Sequence, residues 1–373
     1  MSVNETSKGG ATKSPRILIA ASGSGGHLFP ALHIARAIKS AAPDARIEFV
    51  GSGRPLEEKL IVQNGFVRHV VKISGIKQRG FRGLIDFFAA VPRAFSQLRD
   101  ICAELSPTVV VGVGGYVSVL PVVFAKIRGI PTWIHEAELK PGLANAFLGL
   151  FSDRISVAFQ EAKILRRRAV VYTGHPIRGG LGEVRREAPR DRLTRLLILG
   201  GSQGAQGIDN AVGALAPFLR DRAIEVWHQC RPENVAPVVA AYRSHGVAAR
   251  VDSFIDDMSG ALQWCDVIIS RSGASAVMEL SVVNIPTIFV PYPFAQGNHQ
   301  LANAQVLAAA GKALVVEEGE GFPTRLEAAL RHLLAPENYR RMLDTPYEAR
   351  SLEAADRIAS GILAISNPPP PGL

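Results

Sequence analysis

Short apolar runs and longer segments of helical periodicity alternate along nearly the whole chain. The first run, Arg16 to Ala21 (RILIAA), leads into Ser22-Gly23-Ser24-Gly25-Gly26-His27. In the segment that follows, Leu28, Ala31, Leu32, Ala35 and Ile38 recur on one helical face. About half a chain later Arg195 to Leu199 (RLLIL) leads into Gly200-Gly201-Ser202-Gln203-Gly204-Ala205 and a second such segment, with Ile208, Val212, Leu215 and Phe218. The alternation predicts stacked βα units around parallel sheets, hence an α/β fold. Its recurrence predicts two similar Rossmann-like domains facing a central cleft. His175 to Arg192, rich in Gly, Pro and Arg with little apolar periodicity, is the expected junction.

The expected organisation is a disordered leader (1–14), a first domain (15–177), a second domain (178–349), a terminal helix at about 350–366 that packs back on the first domain, and a disordered tail (367–373). In such sheets ligands bind beyond the carboxyl ends of the strands, so chemistry is sought in six loops. They follow Ile19, Val111, Ile134, Leu197, Ile268 and Ile288 to Pro291.

A glycine-rich turn opening a helix aims backbone N–H groups at an anion, and both halves carry one. Neither is a Walker A sequence or a complete G-x-G-x-x-G, although Glu48 stands near the spacing of a ribose-binding acid in dinucleotide folds. His27 opens the first helix, where the imidazolium form is disfavoured and a neutral ring can accept a proton. The run from Asp266 through Arg271-Ser272-Gly273-Ala274-Ser275 to Glu279 reads as strand, loop and helix with a carboxylate one turn inside. That carboxylate suits the two hydroxyls of a ribose, or simply complements a helix dipole. Asn298-His299-Gln300 opens a helix containing Asn303, either as caps or as ligands. No D-x-D occurs, so no metal and no cofactor are expected, and helix amino ends must offset a diphosphate's charge.

Composition narrows the partners. The 373 residues are 47% hydrophobic and 20% charged, as in ordinary globular proteins, and the net charge of +9 favours polyanionic partners. Cys102, Cys230 and Cys265 are far apart and fall in no metal-binding pattern, which suits a reducing cytosol. Ser106 to Ala125 has nearly the length of a membrane span and no charge, but Gly114-Gly115 and Pro121 favour strand, turn and helix. Lys72 to Arg99 interleaves Arg79, Arg82, Arg93 and other bases with Phe81, Phe87, Phe88 and Phe95. This suits an anionic leaflet, or an amphipathic helix packed on a sheet. No nucleic-acid signature is present.

Together these motifs resemble the MurG-type enzymes of glycosyltransferase family 28, the undecaprenyl-diphospho-muramoylpentapeptide β-N-acetylglucosaminyltransferases. The resemblance runs from about Arg16 to Ala364 through GSGGHLFPAL, GVGGYVSVLP, PGLAN, TGHPIR, GGSQGA, FIDDM, SRSGAS and the helix with His299, Gln300 and Asn303. It implies a glycosyltransferase B fold and inverting transfer of N-acetylglucosamine from UDP to the C4 hydroxyl of a muramoyl sugar on a polyprenyl diphosphate. It further implies His27 as base, and donor contacts at Ser24, Gly25, Gly26, Glu138, Arg178, Ser202, Ile255, Ala274, Ser275, Glu279, His299 and Gln300. Gly114, Gly115 and Tyr116 would shape the acceptor site. Arg79, Phe81, Arg82, Phe87 and Phe88 would dock on anionic lipid at the cytoplasmic face of the bacterial inner membrane. Glu138 stands where the family commonly has asparagine. A UDP-sugar 2-epimerase of related architecture and a non-catalytic UDP-sugar sensor are the alternatives.

Overall fold

The computed structural model describes residues 14–21, 25–71, 80–164, 169–184, 186, 193–201, 204–345 and 350–366, with only the backbone over 80–88. The expected leader (apart from Ser14), the tail, Ser24, Ser202 and Arg79 lie outside the described residues. So do the side chains of Phe81, Arg82, Phe87 and Phe88.

The first half runs β1 (Arg16–Ala20), α1 (Gly25–Ala41), β2 (Arg46–Gly51), α2 (Pro55–Gln63), β3 (Val67–Val70), α3 (Gly80–Leu105), β4 (Val109–Gly112), α4 (Val119–Ile127), β5 (Thr132–Glu136), α5 (Leu143–Leu148), β6 (Arg154–Val157) and β7 (Val170–Tyr172). The second half begins with β8 (Arg195–Leu199), α6 (Gln206–Asp221), β9 (Glu225–Gln229), α7 (Val235–Ser244), β10 (Ala249–Asp252), α8 (Met258–Trp264) and β11 (Val267–Ser270). It continues with α9 (Ala274–Val283), β12 (Thr287–Phe289), α10 (His299–Ala309), β13 (Ala313–Val315), α11 (Phe322–Leu333), α12 (Pro336–Asp344) and α13 (Ala354–Ser366).

Two sheets form, ordered β3-β2-β1-β4-β5-β6-β7 and β10-β9-β8-β11-β12-β13. Every recorded strand pairing is parallel. Helices cover both faces, which is why β1 reads as an unbroken apolar run. Ile17 and Ile19 face α1 and α13, whereas Leu18 faces the opposite layer with Leu98 and Leu120. In each sheet the strand order reverses at the centre, between β1 and β4 and between β8 and β11.

Helix α13 lies in the first domain's core through Ile358, Ala359 and Ile362. A Cβ at Gly361 would come within 2.3 Å of the Trp133 ring, so only glycine lets α13 rest on β5. Ile177, Leu181 and Val184 pack in the core of the second sheet.

The uncharged stretch from Ser106 to Ala125 forms β4, a 3₁₀ turn and most of α4. No helix among the described residues is long and apolar enough to cross a membrane. The carboxyl-terminal half of α3 is an ordinary packing helix, with Ala94 and Leu98 buried and Phe95 edge-on to Phe124. Glu48 lies inside β2 rather than beyond its end, where it accepts from Arg46 Nε at 2.7 Å and bonds His69 Nε2 at 2.6 Å. It is therefore unsuited to the ribose role that its spacing suggested. The three cysteines are free.

Candidate functional site

The two strand-order reversals bring the motif loops together, because a crevice opens where neighbouring connections leave on opposite faces. In the first sheet the crevice lies between the start of α1 (Gly25, Gly26, His27) and the Gly114-Gly115 turn after β4. Gly114 and Gly115 have φ of 84° and 75°, a left-handed conformation that disfavours side chains. A Cβ on Gly114 would also sit 2.7 Å from His27 Cδ2, so the turn and the imidazole are in direct contact. Buried Ser118 braces the turn, its Oγ 2.7 Å from the Gly114 carbonyl and 3.0 Å from that of Ala20. Tyr116 follows at the start of the 3₁₀ turn.

Burial lowers the His27 pKa to about 4, so the ring is neutral at physiological pH. Its Nδ1 is buried without a partner, as are Asn145 Oδ1 and Ser272 Oγ. Unpaired buried polar atoms are costly in a finished fold and are commonly found where a ligand completes the set.

The loop after β5 adds a layer of polar groups. Glu136 is buried and accepts from the backbone N–H of Glu138 at 2.8 Å and of Gly142 at 3.1 Å. Burial, only partly offset by these bonds, pushes its pKa up to about 7. Asn145 donates to the His135 carbonyl at 2.9 Å, tying α5 to β5.

Across the cleft the second crevice is lined by the turn after β8 and by Arg271 to Ser275 after β11. Gly201 and Gly204 take φ of 73° and 69° there. Arg271 donates to the carbonyls of Val290 and Pro291 and pairs with Glu318 at 2.6 Å, which anchors the loop after β12. Arg178 Nε donates to Glu279 Oε1 at 2.9 Å, so two of the residues expected at the donor are held together. Glu279 is the sixth residue of α9, beyond the first turn where a helix dipole acts, so the dipole reading of this acid loses its ground. Ile255 is buried in the loop after β10, while neighbouring Phe254 is exposed. Gln300 Oε1 accepts from Tyr292 N at 3.0 Å, and His299 Nδ1 lies 2.7 Å from the Gln296 carbonyl.

Contacts between the loop after β5 and α10, and between His175 and α9, join the halves. Glu138 accepts from Asn303 Nδ2 and lies 3.9 Å from His299 Nε2, so the glutamate in place of asparagine turns toward α10. Fully buried Asn303 also accepts from Leu139 N at 3.1 Å and donates to the Ser272 carbonyl at 3.3 Å. His135 Nε2 meets His175 Nδ1 at 3.1 Å, and His175 Nε2 meets Ser275 Oγ at 2.9 Å.

His27, Gly114 and Gly115 thus meet at one crevice, while Ala274, Ser275, Glu279 and Arg178 gather at the other. Reading the sequence did not single out His135, Glu136, Asn145 or His175 as site residues and left Asn303 open between cap and ligand. The available signals were the position of His135-Glu136 at the end of a strand and a histidine within the junction motif TGHPIR.

Comparison with known proteins identifies the family. Residues 17–157 match the family model described as Glycosyltransferase family 28 N-terminal domain, and residues 195–358 that of the Glycosyltransferase family 28 C-terminal domain. The UDP-N-acetylglucosamine–N-acetylmuramyl-(pentapeptide) pyrophosphoryl-undecaprenol N-acetylglucosamine transferase of Nitratidesulfovibrio vulgaris is 36% identical, covering 94% of this chain and 97% of the relative. A crystal structure of Acinetobacter baumannii MurG is 26% identical with a TM-score of 0.78, covering 94% of this chain and 99% of that one. A UDP-GlcNAc 2-epimerase from Neisseria meningitidis, 14% identical with a TM-score of 0.65 over 93% of this chain and 99% of its own, shares the fold alone. With both domains matched in order and this similarity running through both crevices, the chain belongs to glycosyltransferase family 28, among its MurG-type members.

Proposed function

We propose that the chain transfers N-acetylglucosamine from UDP-N-acetylglucosamine to the C4 hydroxyl of the muramoyl sugar of undecaprenyl-diphospho-N-acetylmuramoyl-pentapeptide. The product is the disaccharide-linked lipid, lipid II, used for peptidoglycan synthesis. The observation that carries this reading is similarity to a transferase named for that reaction across 94% of this chain, through both crevices.

In the proposed mechanism the acceptor hydroxyl lies against the Gly114-Gly115-Tyr116 turn, next to His27. The neutral imidazole takes the hydroxyl proton as the oxygen attacks the anomeric carbon, with inversion and departure of UDP. A base held near pKa 4 is weak by itself. Negative charge developing on the departing diphosphate across the cleft favours the imidazolium as it forms. The donor site comprises Ile255 for uracil and Glu279, held by Arg178, for the ribose. Ser24, Gly25, Gly26, Ser202, Ala274 and Ser275 surround the diphosphate, and Glu138, His299 and Gln300 lie toward the sugar. Arg79, just before α3 along the chain, and Phe81, Arg82, Phe87 and Phe88, within α3, form a peripheral dock on anionic lipid at the cytoplasmic face of the inner membrane, where the acceptor resides.

The test is UDP release from UDP-N-acetylglucosamine with and without a short-chain analogue of the acceptor lipid, with products identified by mass. Acceptor-dependent release with a new disaccharide is expected. Release without acceptor, accompanied by inversion at C2 of the sugar, would replace the transferase with the epimerase. Tight UDP binding with neither reaction would replace it with the sensor.

A further inference from the structure

Behind the two crevices runs a buried chain of hydrogen bonds from one domain to the other. Trp133 Nε1 donates to Ser156 Oγ at 2.9 Å, and Ser156 Oγ lies 3.0 Å from His135 Nδ1 and 3.3 Å from the Ile134 carbonyl. His135 Nε2 is 3.1 Å from His175 Nδ1, and His175 Nε2 is 2.9 Å from Ser275 Oγ in the first turn of α9. Ser156, His135 and His175 are essentially inaccessible, whereas Ser275 is half-buried and borders the cleft.

A neutral imidazole carries one N–H, so only one proton can lie between the two rings and the chain must run in a single sense. Burial and the neighbouring histidines hold both rings far below the ordinary pKa, so both are neutral. In the inward sense the Ser275 hydroxyl donates to His175, His175 Nδ1–H to His135 Nε2, His135 Nδ1–H to Ser156, and the Ser156 hydroxyl to the Ile134 carbonyl. In the outward sense the Ser156 hydroxyl donates to His135 Nδ1, His135 Nε2–H to His175, and His175 Nε2–H to Ser275. The outward sense leaves the Ser275 hydroxyl free to donate into the cleft. Both senses satisfy every buried group, so they are close in energy until something binds at Ser275.

A diphosphate only accepts hydrogen bonds, and it therefore selects the outward sense. We propose that His175 is a positioning residue for the donor, passing through His135 a one-way hydrogen-bond chain that turns the Ser275 hydroxyl toward the diphosphate. The proposal rests on the reading that the amino end of α9 receives the donor. It gives the buried strand β5, which carries Glu136 and the loop with Glu138, a hydrogen-bond order that depends on donor occupancy.

The test uses the full chain labelled uniformly with ¹⁵N, UDP as the probe, and long-range ¹H–¹⁵N correlation at the histidine rings to identify each tautomer. His135 and His175 are expected as Nε2–H tautomers when UDP is saturating. An Nδ1–H tautomer at His175 with UDP bound would overturn the chain. Ser275→Ala should weaken UDP binding about tenfold, as expected for one hydrogen bond to a charged group. His175→Gln, whose amide nitrogen reaches the Nε2 position, should keep UDP affinity within about twofold of the parent, whereas His175→Asn, which reaches only the Nδ1 position, should match Ser275→Ala. Equal UDP affinity of the Gln and Asn variants would reduce His175 to packing and overturn the proposal. Should His175→Asn fail to fold, Ser275→Ala and the tautomers of the parent still decide. UDP binding that leaves the α9 backbone amides unshifted would remove the donor-site reading itself, whereas binding with those shifts but the wrong tautomer would remove only the chain.

Discussion

The two strand-order reversals occupy equivalent places in similar sheets, yet they are furnished differently. The first is built from glycines in left-handed conformations against a neutral, buried imidazole. The second also has glycines at positive φ, Gly201 and Gly204, but is furnished with paired charges, Arg178 with Glu279 and Arg271 with Glu318, around the amino end of α9. The difference follows from the proposed ligands. A nucleotide carries fixed charge and ribose hydroxyls, which ion-paired side chains and helix amino ends recognise with little dependence on pH. An attacking hydroxyl needs a group that can change protonation, and such a group must be kept uncharged until the reaction occurs.

Three variants break this contrast most directly. His27→Ala should lower turnover by roughly 10²- to 10⁴-fold, the usual contribution of general base catalysis, while UDP affinity changes less than about twofold. Near-normal turnover would remove His27 as base. In the parent, the acid limb of kcat/KM reports the free enzyme and should fall near 4 rather than near the ordinary histidine value. Glu279→Ala deletes the proposed ribose acceptor and leaves Arg178 without its partner. UDP binding should weaken about ten- to a hundredfold, as for loss of a charged hydrogen-bonded group, with turnover at saturating donor little changed. An unaltered Kd by calorimetry would move the ribose elsewhere. The smallest effect is expected at the start of α3, where Phe87→Ser with Phe88→Ser should reduce co-sedimentation with anionic vesicles by about three- to tenfold and leave UDP binding intact. Unchanged sedimentation would move the lipid-facing surface off the acceptor half.

Much of the fold is legible in local sequence, because strands covered on both faces must be apolar throughout and helices laid on them must be apolar on one side. RILIAA and RLLIL became β1 and β8, each at the centre of its sheet, and each glycine turn after them opens a helix. His27 was legible for the same reason, since it stands at a strand-to-helix turn. Glu48 misled because linear spacing to a glycine motif does not say whether a residue lies at the end of a strand or inside it, and β2 holds it in the middle. His135 and His175 were missed because they are separated by 40 positions, and nothing local distinguishes a buried histidine in a relay from one in a core.

From the sequence by itself came the α/β class, the duplication, the six strand-end loops and the family, all carried by periodicity and by contiguous motifs. Only the tertiary structure decided which loops share a crevice, since strand order is set by how the sheets assemble and not by order along the chain. It alone turned Glu138 toward Asn303, set Arg178 on Glu279 and joined His135 to Ser275 through His175. Those pairings arise from burial, where a polar group must find whichever partner packing brings within reach.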